Sequence, residues 1–167
     1  MSRRHEIQCY EYVNQPYEKV RDALRSDAAG VFGRATRGAA ARARDLAASL
    51  RVKLGSLEVG ADIAIRVENA TENQLPRGVG GTPVTRIKLA WQAAKTPALF
   101  PSMDAELSIY PLTPTETQLD LQGRYKLPLG ALGGAIDAIV GHRIAQASVR
   151  RLLEDVAGLL KGELAAS

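Results

Sequence analysis

Residues 127–160, LPLGALGGAIDAIVGHRIAQASVRRLLEDVAGLL, decide the fold of this chain. The stretch opens with a Gly-rich approach, Leu127 to Gly134, and then runs without proline through Lys161, long enough for a helix that spans a small domain. At 3.6 residues per turn, Ala138, His142, Ala145, Val149, Leu152, Leu153, Val156 and Leu160 fall on one stripe. The first half of that stripe is small and the second half bulky. Such a helix packs tightly at its C-terminal end and stands off its support at the other, which leaves a space beneath residues 138–145 as the candidate ligand site.

Upstream, the period is two. Thr117, Leu119, Leu121, Gly123 and Tyr125 oppose Gln118, Asp120, Gln122, Arg124 and Lys126, following a turn over Leu112-Thr113-Pro114-Thr115. Met103, Ala105, Leu107 and Ile109 oppose Asp104, Glu106 and Ser108; Thr85, Ile87, Leu89 and Trp91 oppose Arg86, Lys88 and Ala90. Leu57, Val59, Ala61, Ile63, Ile65 and Val67 share a face, with Gly60 a bulge or bend. Residues 69–83 read as a turn-rich loop. Strands joined by such short turns form an antiparallel meander, one face buried and the other wet.

At the N-terminus, His5 to Val13 alternates with Ile7, Cys9, Glu11 and Val13 on one side and Gln8, Tyr10 and Tyr12 on the other, a pattern that does not by itself choose the inner side. Asn14-Gln15-Pro16 ends that strand, and Pro16 suits the first turn of a helix carrying Val20 and Leu24 to about Arg25. Residues 26–50 read as one or two helical pieces interrupted near Gly30, Gly33 and Gly38, with no strong apolar stripe before Leu46 and Leu50. Their weak packing signal makes them the best candidate for a mobile cover.

The fold class is therefore α+β. A curved antiparallel sheet wraps a long C-terminal helix, with one or more short helices after the first strand. Residues 1–167 read as a single domain with an ordered core over about 5–162 and short flexible termini.

Three segments carry a family likeness: Val13 to Val20, with Pro16 inside it; Leu99 to Leu107 continuing to Gly123-Arg124-Tyr125-Lys126-Leu127-Pro128-Leu129-Gly130; and Arg143 to Leu153. Together with the element order they resemble the helix-grip fold of the START and polyketide-cyclase (SRPBCC) superfamily. The resemblance implies a strongly bent sheet around the final helix with an apolar cavity between them. Members bind lipids, sterols, polyketides or plant hormones, some catalyse cyclisation or dehydration, and others act as chaperones or toxin-like proteins, so fold does not settle function. The expected ligand is a hydrophobic small molecule or lipid. The expected lining is Ile63, Ile65, Leu89, Trp91, Phe100, Met103, Leu107, Leu121, Tyr125, Ala138, His142 and Ala145. From sequence a cavity wall and a core look alike.

Three polar residues are candidates for chemistry. His142 shares the stripe with Ala138 and Ala145, where a neutral imidazole can hydrogen-bond a ligand or transfer a proton; it is a surface residue instead if the face bearing Ile136, Val140 and Ile144 is the inner one. Glu11, if inward, is a carboxylate in an apolar cavity. Tyr125 can place a hydroxyl in the cavity while its ring packs. Whether catalysis follows is left open: the alternatives to binding alone are a polyketide cyclase- or dehydratase-like enzyme that uses these cavity groups, or a protein-interaction module that uses the Ile136-Val140-Ile144 stripe or the arginine-rich segment. If the 138–160 stripe faces the sheet, Ile136, Val140 and Ile144 need cover from residues 26–50, a second subunit in a homodimer, or a membrane or ligand.

Other classes are disfavoured. The net charge of +4 lies largely in Arg34, Arg37, Arg42, Arg44 and Arg51, interleaved with alanine and near only one aromatic, Phe32, so a solvated helix face is expected and nucleic acid is not. Gly78-Val79-Gly80-Gly81 has no helix after it, and Gly130 to Gly134 lacks the Lys-Ser/Thr of a phosphate loop. No His-Glu-x-x-His or Gly-x-Ser-x-Gly occurs, and two histidines with one cysteine give little to hold a metal, so neither metal nor cofactor is expected. The absence of an apolar leader or an apolar run of about 18 residues points to a cytoplasmic chain with no transmembrane segment.

Overall fold

The computed structural model describes residues 5–49, 63–67, 71–75, 81–93, 102–126 and 138–165. Its elements in order are β1 (His5–Val13), α1 (Tyr17–Ser49), β2 (Ile63–Val67), β3 (Thr71–Leu75), β4 (Thr82–Ala93), β5 (Ser102–Thr113), β6 (Glu116–Lys126) and α2 (Ala138–Ala165). The strands form one antiparallel six-stranded sheet in the order β1-β6-β5-β4-β2, with β3 also paired to β4. First and last strands are neighbours, so His5 lies opposite Tyr125 and Val13 opposite Thr117. The sheet is curved around α2, the helix-grip arrangement.

The alternation settles which side faces in. Cys9 and Val13 are buried while Tyr10 and Tyr12 are more than half exposed, so the Ile7 side of β1 is the inner one. Ile87 and Leu89, Met103 to Ile109 on alternate positions, and Thr117, Leu119, Leu121 and Tyr125 are buried on the same side. On α2, Ala145, Val149, Leu152, Leu153, Val156 and Leu160 are buried as the stripe predicts, joined by Ser148 and Ala157. The helix and the inner face share one apolar cluster.

Two parts of the sequence reading are corrected. Residues 17–49 hold two helical pieces that meet at a kink at Asp27 (φ −145°, ψ 45°), just past the expected end of the first helix at about Arg25, and the expected interruptions at the glycines themselves are absent. The Asp27 carboxylate accepts a hydrogen bond from the Gly30 backbone N–H at 3.2 Å, the N-cap arrangement that starts a helix afresh. Beyond the kink Val31, Phe32 and Ala35 are fully buried, and α1 packs along α2. An apolar stripe is therefore present before Leu46; among so many alanines its small members do not stand out as a pattern. The second correction is β3, which occupies part of the expected 69–83 loop. Its polar run Thr-Glu-Asn-Gln has poor strand propensity, but backbone pairing along the edge of β4 overrides composition. Of the strand expected over 57–67, residues 57–62 lie outside the described residues.

Two polar contacts fix the corner opposite His5. The Tyr17 and Thr85 hydroxyls lie 2.6 Å apart in the core, and the Thr117 hydroxyl donates to the Gln15 carbonyl at 2.8 Å. Gly123 on β6 sits close against β5: a Cβ there would stand 3.0 Å from that of Ala105 and 3.1 Å from both the Asp104 carbonyl oxygen and the Met103 sulfur, so those neighbours would have to give way.

Candidate functional site

Pairing across the sheet builds a transverse row at one end. Ile65 of β2 lies opposite Trp91 of β4, Trp91 opposite Met103 of β5, Met103 opposite Tyr125 of β6, and Tyr125 opposite His5 of β1. Four of the expected ligand residues thus share one row. The rows beneath are apolar or small: Leu89, Ala105, Gly123 and Ile7, then Ile87, Leu107, Leu121 and Cys9. Leu107 and Leu121 are sealed within the packed core, beneath the row that carries the polar groups.

Over the Tyr125 end of this row α2 brings His142. The Tyr125 Oη and His142 Nδ1 are 2.5 Å apart. The His5 ring meets that of His142 edge-on, with centroids 4.1 Å apart and planes at 88°, and stands 5.6 Å from the Tyr125 ring. Tyr125 is buried, while His142 and His5 are half-buried. Burial, and then the charge of His5, hold the His142 imidazole below its ordinary range; burial pushes the Tyr125 phenol up. Both groups are thus neutral near pH 7. With Nδ1 unprotonated, Tyr125 donates to it and His142 Nε2 carries a hydrogen; in the other tautomer Nδ1–H donates to the phenol and Nε2 accepts. Among the described residues Nε2 has no hydrogen-bond partner.

The chain thus brings Tyr125 and His142 together, with Met103 and Ala145 beside them. Glu11 is separated from them. It lies on the inner side of β1 but six positions from His5, roughly 20 Å along a strand, so it cannot act on the same atoms. His5 escaped the sequence reading. The available signal was its phase with Ile7, Cys9 and Val13, which puts it on the inner face. Ile63, Ile65 and Trp91 are placed by backbone register alone, and Ala138 is the first residue of α2. Phe100 and Ile136 lie outside the described residues, as do the side chains of Val140 and Ile144, and with them the second stripe and the homodimer suggested to cover it.

On the outer face a groove of about 790 Å³ runs between β1, β6, β5 and β4, lined by Glu6, Gln8, Lys88, Asp104, Glu106 and Arg124 among others. Within it Arg124 pairs with Glu6, and Glu106 pairs with the neighbouring Arg86. Among the described residues no helix is long and apolar enough to cross a membrane, and no cluster of three or more His, Cys, Asp or Glu side chains could hold a metal.

In overall structure the chain is similar to the Zhui aromatase/cyclase from Streptomyces sp. R1128, at 15% identity over 97% of this chain and 96% of that one, with a TM-score of 0.46. It is similar to a Thermus thermophilus protein at 16% identity over 98% and 99%, TM-score 0.47, and to norcoclaurine synthase from Thalictrum flavum at 11% identity over 95% and 87%, TM-score 0.40. No protein-family model matches the chain, and no curated protein does. The helix-grip assignment rests on the strand order and on the seating of α2.

Proposed function

We propose that the protein binds a hydrophobic small molecule or lipid between the sheet and the N-terminal half of α2, at the row that ends in Tyr125 and His5. The observation that carries this reading is the hydrogen bond from sheet to helix between Tyr125 and His142. Deeper along α2 the inner stripe is apolar or small apart from Ser148, whereas this end holds neutral hydrogen-bonding groups beside apolar ones. Binding sites for small apolar molecules have that composition: mostly apolar walls with a few placed polar groups. The test is the intact mass of freshly purified protein under native and then denaturing conditions. A defined added mass that disappears on unfolding is expected; a clean mass in both, with no uptake of an apolar dye, would overturn the reading.

A second reading, a cyclase- or dehydratase-like enzyme, is favoured by the same contact, because a neutral phenol and imidazole sharing a hydrogen can pass a proton to or from a bound molecule. Turnover of an aromatic polyketide precursor that survives both His142→Gln and Tyr125→Phe would sink it.

A further inference from the structure

We propose that the ligand is held by an acidic head group, so that the bound molecule is an apolar carboxylic acid whose carboxylate is received by His5, His142 and Tyr125. This rests on the binding reading above and adds to it the chemistry of the head. The chain has only two histidines, and the fold brings them from opposite ends of the sequence into ring contact at 4.1 Å. Tyr125 adds a hydroxyl at the same point. Among the described residues the groups that face His142 are His5 from β1 and Tyr125 from β6; Met103, next in the row on β5, is uncharged, and so is Ala145, the next inner residue of α2.

Among the described residues no carboxylate pairs with either imidazole. The surface cations Arg21, Arg34, Arg86, Arg124 and Arg151 each have one. Two imidazoles this close oppose each other's protonation, and each proton is accepted more readily once an anion lies against both rings. A carboxylate supplies that anion and accepts hydrogen bonds from all three groups, whereas an alcohol or an ester leaves the imidazole charges unbalanced. Next to Tyr125 in the row, Met103 is apolar and buried and suits an apolar body.

The experiment compares dodecanoate with its methyl ester, below micellar concentration, on the full chain at pH 6. It is read by the fluorescence of Trp91, the only tryptophan, and by the NMR signals of the two imidazoles. Dodecanoate is expected to bind about tenfold or more tighter than the ester, the effect of a hydrogen bond to a charged group. Both imidazole pKa values should rise with the acid and not with the ester. His142→Gln and His5→Gln, each checked for folding by circular dichroism, should bring the ratio of acid to ester affinity towards one. Equal affinity for acid and ester, or an acid preference that survives both variants, removes the acidic head and leaves the binding reading standing. Failure of both ligands to bind removes that reading and this proposal with it.

Discussion

Phe32→Ala asks whether the second part of α1 is a cover or a piece of the core. Phe32 is 1% exposed, lies between Val31 and Ala35, which are fully buried, and belongs to the same apolar cluster as Leu152, Leu153 and Val156 of α2. Truncating a buried phenylalanine removes its transfer energy and leaves a cavity, together about 3–5 kcal/mol. Little relief is available through collapse, because Ala35 one turn on has only a methyl, with no rotamer that could swing into the space, and the helix backbone is fixed by its own hydrogen bonds. Against a total stability of roughly 5–15 kcal/mol this is a large fraction, and for a chain of 167 residues it lowers Tm by roughly 6–20 °C.

The assay is guanidinium denaturation followed by circular dichroism and by Trp91 fluorescence, with hydrogen exchange of residues 28–35 alongside. The expected result is a lower midpoint at unchanged slope, and exchange of these amides only through global opening. A loss below about 1 kcal/mol, or exchange of residues 28–35 at far lower free energy than α2, would show that this segment opens on its own and that its burial adds little to the cooperative fold.

Four further outcomes follow from particular contacts. Tyr17→Phe leaves the buried Thr85 hydroxyl without its 2.6 Å partner and should cost about 1–3 kcal/mol in denaturant titration, whereas Tyr17→Phe with Thr85→Val should recover part of that loss. Gly123→Ala presses a methyl against Ala105 and the Met103 sulfur and should destabilise by about 1–3 kcal/mol by the same measurement. The thiol of Cys9, buried and with its pKa pushed up chiefly by that burial, should react with a thiol reagent only as fast as the protein unfolds. Because the folded His142 holds its proton less readily than the unfolded chain, its contribution is complete above its ordinary value of 6.5 and is lost as pH falls from there towards the lower folded value. Thermal melts from pH 7.5 to 4.5 should therefore show a steeper acid loss in the parent than in His142→Gln.

Much of the architecture was legible because its signals are local. A period of two over 102–126 fixes both the strands and their faces, and a period of 3.6 fixes the inner stripe of α2 from Ala145 to Leu160. What was illegible depends on partners far away in sequence. The strand β3 is polar and weakly patterned, and it pairs because the edge of β4 beside it is open. The buried face of α1 is built partly of alanine, which is equally at home on a solvated helix, so only the presence of α2 alongside shows that Val31, Phe32 and Ala35 are inside.

The site divides in the same way. Tyr125 and His142 could each be placed on an inner face from periodicity, but that they meet depends on the level at which α2 crosses β6, which no spacing within either element contains. His5 needs one step more. It becomes an inner residue of the site because the first and last strands are neighbours, and that pairing sets it opposite Tyr125 and beneath His142. Strand order therefore turns two isolated histidines into a single pair, and Glu11, on the same face of the same strand, is left out of the site by six residues of register.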